Sequence, residues 1–398
     1  MTTAIVRPGY KQTEVGVIPE DWVVIRLGDI SDVKTGPFGT ALHQKDYVED
    51  GTPIITVEHL GEQGVVHQNL PMVSNTDKKR LSSYTLQTGD IVFSRVGSVD
   101  RNSLIRETEN GWLFSGRLLR IRHDLKHVYS AYLSYYFQQE LVKQRIRNVA
   151  VGQTMASLNT QILKNVDIAL PSKVPEQTAI ATVLSDTDSL ITNLEKLIEK
   201  KRAIKQGAMQ QLLRPKEGWK IKMLGEIANV TMGQSPLSKF YNKLGIGLPL
   251  IQGNADIADR KTIIRAFTSN VTKRGNIGDI VMSVRAPVGE ISKTAFDCCL
   301  GRGVCAISFR NDYLYHFLIY FEKSWAQLST GSTFDSVNSK QVKELEIPIP
   351  SPVEQVRIAQ ILTDMDTEIS VLEQKLSKYK LLKQGMMQEL LTGKTRLV

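Results

Sequence analysis

The stretch EQTAIATVLSDTDSLITNLEKLIEKKRAIKQGAMQQLL, residues 176–213, returns as EQVRIAQILTDMDTEISVLEQKLSKYKLLKQGMMQELL, residues 354–391, at a constant offset of 178. Eighteen of the 38 aligned pairs are identical with no gap, where chance would give about two or three at ordinary residue frequencies. The chain therefore carries an internal duplication. Within the first copy Ile180, Val183, Leu184, Leu190, Ile191, Leu194, Leu197, Ile198, Ile204, Ala208 and Leu212 recur at steps of three and four. Ile358, Ile361, Leu362, Met365, Ile369, Leu372, Leu376, Leu382, Met386 and Leu390 do the same in the second. Both copies read as long amphipathic helices.

Ser351, Pro352 and Glu354 form a start signal for the second helix, with Ser351 as N-cap. In the first copy one extra residue spoils that spacing, and Pro175 and Glu176 mark the first turn. An apolar stripe sustained over about five heptads needs a partner, and the other copy is the obvious one. A two-fold relation between the halves makes the pairing antiparallel and puts the bodies at opposite ends. The expected pairing or subunit-interface residues are Leu190, Leu194, Leu197, Ile204, Gly207, Leu372, Leu376, Leu382 and Gly385. The two glycines, kept at the same place in both helices, suggest a close approach or a bend there.

The duplication extends upstream. WVVIRLGDI from Trp22 answers WKIKMLGEI from Trp219, and TGDIVFSR from Thr88 answers IGDIVMSVR from Ile277. A period this long marks a duplicated domain, since solenoid repeats run to about 20–50 residues. The segments VVIRLGDI, PIITVEHL, DIVFSRVG, WLFSGRLLRIR and VDIALP read as strands in the first body. GEIANVTMG, PLIQGNADI, DIVMSVRAPVGEI, GVCAISF and LEIPIP repeat them in the second. One aromatic helix is expected over 129–146 and its counterpart over 312–328, more for core packing than for base stacking. The fold class is thus α+β. The expected divisions are a first body over 1–172, a first helix over 173–213, a second body over 214–350, and a second helix with C-terminal tail over 351–398.

Fifty Lys and Arg against 41 Asp and Glu leave a net charge of +9 over 398 residues, which favours a polyanionic partner. Polar and basic side chains gather in the loops of both bodies, where nucleic-acid readers place base and phosphate contacts. The candidates are Lys34, Thr35, Ser94, Arg95, Arg101, Asn102 and Arg117 in the first body, and Gln234, Ser235, Lys239, Ser283, Arg285 and Arg302 in the second. The loops carry this expectation as sets; for any one residue, such as Arg285 in SVRAPVGE, bracing a turn is the plainer reading.

Chemistry is missing where catalysis would need it. No two of the 14 prolines are adjacent, which excludes the motif with which amino-methyltransferases grip a flipped base. Gly245-Ile246-Gly247 and Gly301-Arg302-Gly303 lack the third glycine of a dinucleotide fingerprint, and in the terminal GKT at Gly393 the phosphate-loop pattern fails because Gln388 stands at its first glycine. His123 and His127 lack a third ligand and are expected to face solvent. Asp186 and Asp188, repeated as Asp364 and Asp366, point to different helix faces and read as helix-surface or interface charges. The ExK triplets at Glu199 and Glu373 lack the upstream acid of a nuclease site. No catalytic, cofactor-binding or metal-ligating residue is expected in this chain. Cys298, Cys299 and Cys305 fit neither a disulfide framework nor a zinc site. Together with the polar N-terminus and the shortness of the run YLYHFLIYF at 313–321, they lead us to expect a cytoplasmic protein outside the membrane.

YKQTEVGVIPEDWVVIRLGDI near the N-terminus, GDIVFSR and GDIVMSVRAPVG in the bodies, and P-x-EQ-x-x-IA or its variant at both helix starts closely resemble the DNA-specificity subunit of Type I restriction-modification systems. The resemblance covers essentially the whole chain. It implies two β-rich target-recognition domains in tandem, each followed by a long helix, the helices pairing as an antiparallel coiled coil. It also implies that double-stranded DNA is read as a split, asymmetric site, with a spacer set by the helices. The implied partners are two methyltransferase subunits, which would carry S-adenosylmethionine, and translocase-nuclease restriction subunits. A stand-alone methyltransferase and a coiled-coil scaffold that binds no DNA are the competing classes.

Overall fold

The computed structural model describes residues 6–37, 42, 46–124, 126–150, 156–329 and 336–397. Both repeated tails are single helices of 39 residues, Val174–Leu212 and Pro352–Leu390, each about 58 Å long at about 1.5 Å per residue. The expected N-cap is present in the second, where Glu354 N–H donates to Ser351 Oγ at 3.3 Å. The chain divides into two units: residues 1–195 with 375–398, and residues 196–374. Each unit holds one body and a length of both long helices.

In the first unit, strand Trp22–Arg26 pairs antiparallel with Asp167–Pro171, so the two ends of the body close on each other. Between them lies an antiparallel sheet in the order Asn102–Leu104, Ile91–Ser94, Leu118–His123, Ser31–Thr35. Side chains alternate across it. Ile91, Phe93, Leu119 and Ile121 join a core with Tyr132, Leu133, Tyr136 and Phe137 of helix Ser130–Gln138, with Ile180 and Leu184 of the first long helix, and with Leu390 of the second. Val92 and Leu118 face a second cluster with Ile55, Leu60 and Phe114. Both faces of the sheet's central strands are therefore covered by apolar clusters, while ion pairs such as Arg120–Asp32 occupy its outer part.

The second unit repeats the plan. Strand Lys220–Met223 pairs with Glu346–Ile349. A six-stranded sheet is centred on Ile280–Ser283 and Ile291–Lys293, with Val304–Ser308 beside the first of them. Its Ile280, Met282, Cys305 and Ile307 pack on Tyr313, Leu314, Phe317 and Leu318 of helix Tyr313–Ser329, and on Ile358 and Leu362 of the second long helix. The aromatic helices are core elements, as expected. The first of them differs in being two helices, Ser130–Gln138 and Glu140–Val149, broken where Gln139 adopts an extended backbone.

The repeated LG[DE]I is not strand but a single helical turn, Leu27–Ile30 and Leu224–Ile227. Leu27 and Leu224 are fully buried, and the turn packs on a second short helix, Thr160–Lys164 or Ser339–Lys343. A Cβ on Gly28 would lie 2.9 Å from Lys164 Cβ and one on Gly225 3.0 Å from Lys343 Cβ, which explains a glycine in both copies. The Gln repeated at both helix starts is a clamp. Gln177 is buried, donates to the Pro171 and His127 carbonyls at 2.9 and 3.1 Å, and accepts from Tyr129 N–H at 2.8 Å. Gln355 donates to Pro350 O at 2.9 Å and accepts from Arg310 and Asn311.

The helices pair antiparallel within each unit. In the first, Asp188 and Glu195 meet Lys383 and Lys380. In the second, Arg202 and Lys205 meet Glu373 and Asp366. The buried seam runs through Ile180, Leu184, Ile191, Leu194 and Ile198, and on the second helix through Ile358, Leu362 and Ile369. Leu372 and Leu376 are half-buried. Leu190, Leu197, Ile204 and Leu382 correct the expected seam, being 47, 38, 47 and 49% exposed. Leu190 and Leu197 each precede a seam residue by one position, about 100° around the helix at about 3.6 residues per turn. They remain available as subunit contacts.

Gly207 and Gly385 correct the expected close approach: a Cβ at either would meet nothing within 4 Å, and both helices run through without a break. Each glycine should cost about 1 kcal/mol relative to Ala. Gly207→Ala and Gly385→Ala are therefore expected to raise stability by about that much apiece, read as a higher denaturation midpoint in urea.

The second unit also contains an acid-sensitive group. His316 is buried, and burial holds its imidazole down to about 4, against the neighbouring Asp366 and Asp312, which favour the cation, and Lys205 and Lys293, which oppose it. An unfolded histidine takes up a proton below about pH 6.5. Stability present above that pH is lost as the pH falls toward 4, by on the order of 3 kcal/mol. His316→Gln should flatten this slope; an unchanged slope would mean that other groups carry it.

Candidate nucleic-acid interface

Strand Ser31–Thr35 of the first body runs into Gly36, whose N–H donates to the Leu118 carbonyl at 3.1 Å. A Cβ there would sit 2.1 Å from the Ser115 carbonyl oxygen, so only glycine lets the strand end lie against the 115–118 turn. On the other side of that turn, Arg95 N–H donates to Arg117 O at 2.9 Å and its guanidinium to Gly116 O at 3.3 Å. Leu158 N–H donates to Arg95 O at 2.8 Å, and Val96 bridges to Ser157. Thr35, Arg95 and Arg117 thus come together at one end of the sheet. The exposed Arg117 guanidinium has no hydrogen-bond or ion-pair partner among the described residues. Backbone hydrogen bonding holds the nearby Glu58 carboxyl below its usual range, and the Arg117 charge adds a smaller push in the same direction.

The second body builds the same corner. Gly233 N–H donates to Val304 O at 3.0 Å, and a Cβ on it would lie 2.1 Å from Gly301 O. Val284 N–H donates to Gly303 O at 2.9 Å, Val337 N–H to Val284 O at 2.9 Å, and Arg285 bridges to Ser336. Gln234 N–H donates to Leu300 O at 2.8 Å, and Ser235 Oγ accepts from Arg302 N–H at 3.0 Å. Gln234, Ser235, Arg285 and Arg302 are therefore gathered in one cluster. The side chains of Arg285 and Arg302 are exposed and unpaired among the described residues. Such a corner offers fixed backbone geometry with exposed guanidinium and amide groups, the combination that can hold phosphates and reach base edges.

Three candidates lie inside the fold. Ser94 is fully buried, and its hydroxyl donates to Val96 O at 3.2 Å. Ser283 is likewise buried, donating to Pro287 O at 2.7 Å and accepting from Glu290 N–H at 2.9 Å. Asn102 is buried on its strand and accepts the Ser134 hydroxyl at 3.0 Å. These correct the expectation: each serves the backbone or a neighbouring helix and is shut off from an external ligand. Lys34 donates to Ser83 O at 2.9 Å with its ammonium 4.5 Å from the Tyr84 ring centre, Arg101 is tied to the Leu60 carbonyl, and Lys239 lies 5.1 Å from the Phe240 ring centre. These contacts engage the three side chains elsewhere than in the hydrogen bonds that build the corners.

His123 also departs from expectation. It is buried, and burial lowers its pKa, whereas His127 is exposed. Gly393 of the terminal GKT packs under Pro19 and Trp22 and accepts the Tyr10 hydroxyl at 2.7 Å, which makes it a joint between the chain's ends. Asp186 and Asp364 are exposed, and Asp188 and Asp366 face the partner helix. Among the described residues no His, Cys, Asp and Glu cluster could hold a metal, and no helix is long and apolar enough to cross a membrane.

Reading the bodies one at a time missed Gly36 and Gly233, although VKTG and VTMG stand at matching places in the two copies. It also missed SLNTQILKN at 157–165, answered by SVNSKQVKE at 336–344, whose first residues bridge to the two arginine-bearing loops.

The family model for the Type I restriction modification DNA specificity domain matches residues 19–206 and again 216–380. A putative type I restriction enzyme specificity subunit, MjaX, of Methanocaldococcus jannaschii is 32% identical over 97% of this chain and 96% of its own length. The MjaVIII specificity subunit of the same organism is 23% identical over 95% of this chain and 94% of its own. Among solved structures, the type I restriction-modification S subunit of M. genitalium aligns with a TM-score of 0.64 at 18% identity, over 93% of this chain and 96% of that one. A chain from a structure of a type I R-M system aligns with a TM-score of 0.62 at 22% identity, over 95% and 99%.

Proposed function

The chain belongs to the Type I restriction-modification DNA specificity family, and from that premise we propose that its two bodies each read one half of a bipartite, asymmetric DNA site. The observation that carries this reading is the doubled corner: one glycine-locked arrangement, built twice, bearing Thr35, Arg95 and Arg117 in one body and Gln234, Ser235, Arg285 and Arg302 in the other. The frame is common and the side chains differ, as two readers of two different half-sites require. The net charge of +9 supplies long-range attraction to the duplex.

The chain is the specificity subunit and supplies the address. The chemistry belongs to its partners: two methyltransferase subunits that carry S-adenosylmethionine and methylate adenine, and restriction subunits that translocate and cut DNA. The exposed Leu190, Leu197, Ile204 and Leu382 offer apolar surface for such docking.

Arg117→Ala and Arg302→Ala in the assembled complex test the corners. A guanidinium that reads a base edge should cost about 1–3 kcal/mol on the specific site and relax the sequence at one position. One that holds phosphate should weaken all sequences alike and reduce the salt slope by about one. Affinity and salt slope both unchanged in both variants would remove the corners from the interface.

A further inference from the structure

Asp188 and Asp366 recur at one place in the two long helices, and neither belongs to the corners. In the first unit Asp188 is 6% exposed. Its carboxylate lies 2.6 Å from Lys383 Nζ and accepts the Tyr135 hydroxyl at 2.8 Å, while the Lys383 ammonium lies 5.5 Å from the Tyr135 ring centre. Three elements meet there: the first long helix, the second, and the body's helix Ser130–Gln138. In the second unit Asp366 bonds Lys205, and helix Tyr313–Ser329 brings His316, with Nδ1 3.9 Å from Asp366 and Nε2 3.0 Å from Thr363 Oγ1. Lys205 and Lys383, like the two aspartates, are 178 apart, so the duplication has kept both partners of both pairs.

A buried ion pair adds little stability over apolar side chains of the same volume, because desolvation consumes most of the attraction. Its best-attested use is to fix register, since any other alignment leaves a charge buried and alone. The Asp188–Lys383 pair is buried, between Leu184 and Ile191 of the apolar seam, and the Asp366–Lys205 pair stands at the matching place between Leu362 and Ile369, with Lys205 covered and Asp366 42% exposed. We propose that the Asp188–Lys383 and Asp366–Lys205 pairs are positioning residues that key each body to the helix pair in one register and thereby hold the bipartite site to a single spacer length. This rests on the bipartite reading above.

The test uses the complex with its methyltransferase subunits and maps N6-methyladenine by single-molecule sequencing. Asp188→Leu combined with Lys383→Leu keeps the seam packed and removes both charges. The expected result is unchanged half-sites, a cooperative thermal transition lowered only by the Tyr135 hydroxyl's loss of its acceptor, and methylation at spacers one base pair longer or shorter rising at least tenfold over the wild type. Lys383→Arg alone, which keeps the charge, should retain the single spacer. If the first double variant fails to fold, Asp366→Leu with Lys205→Leu at the more exposed pair decides in its place. A folded double variant that methylates only the wild-type spacer overturns the inference and leaves the function standing. A wild-type complex with no bipartite motif overturns the reading beneath it, and the inference with it.

Discussion

Replacing residues 22–171 with the matching stretch of a relative of different specificity should change one half of the methylated site completely and leave the other half and the spacer as they were. The body is closed on itself by the antiparallel pair Trp22–Arg26 and Asp167–Pro171, so both cuts fall at the same edge of one module. Its corner is assembled from its own loops. What it owes to the helices is nameable: the apolar face that packs on Ile180, Leu184 and Leu390, the backbone at His127 and Tyr129 that Gln177 grips, the Gln63 amide oxygen that accepts from Thr192, and the Tyr135 hydroxyl donated to Asp188. A donor that preserves those contacts should fold and dock. The effect is a switch of specificity and not a loss of affinity, because each correct base contact is worth about 1–3 kcal/mol and a half-site contains several. Mapping methylated adenines in a methylation-free host reads it directly. A change in both halves would show that the bodies do not read independently.

Lengthening the helix pair should change the spacer alone. The pairing is antiparallel in each unit, and the division between units falls at Lys196 in the first helix and Gln374 in the second. One heptad inserted at each of these points, both ahead of Gly207 and Gly385 in their helices, keeps the apolar seam in phase. It adds about 10 Å at about 1.5 Å per residue, close to three base pairs at about 3.4 Å each. The expected motif retains both half-sites with a spacer longer by about three base pairs, while the original site goes unmethylated. An unchanged spacer would end the idea that the helices measure it. Insertion of a heptad in one helix only should abolish methylation, since it throws the ion pairs of one unit out of step with the other strand of the seam.

The helices and the doubling were the most legible parts of the sequence, because heptads sustained over 39 residues leave no other reading and an offset of 178 needs no structure to see. The capped start at Ser351 was equally plain. What misled were short apolar runs and polar residues. LGDI carries strand-like residues, yet is a helical turn because Gly28 lets it settle on Lys164. Ser94, Ser283 and Asn102 look like surface groups by type, but the two serine hydroxyls bond nearby backbone and the Asn102 carbonyl oxygen takes the Ser134 hydroxyl, so each is spent inside the fold. Leu190 and Leu197 match the helical period as well as Ile191 and Ile198 do, and only the partner helix decides which of two adjacent apolar residues is covered. The site was legible as a set of loops. Its assembly was not, because the contacts that make a corner join residues far apart in sequence, such as Gly36 with Leu118 and Arg95 with Arg117.

The measurement that bears most directly on the central claim is single-molecule detection of N6-methyladenine in DNA from a methylation-free host expressing this chain with its methyltransferase partner. The account expects one split motif, present with the chain and absent without it. A motif that persists when the chain is omitted, or none at all from an intact purified complex, would contradict it.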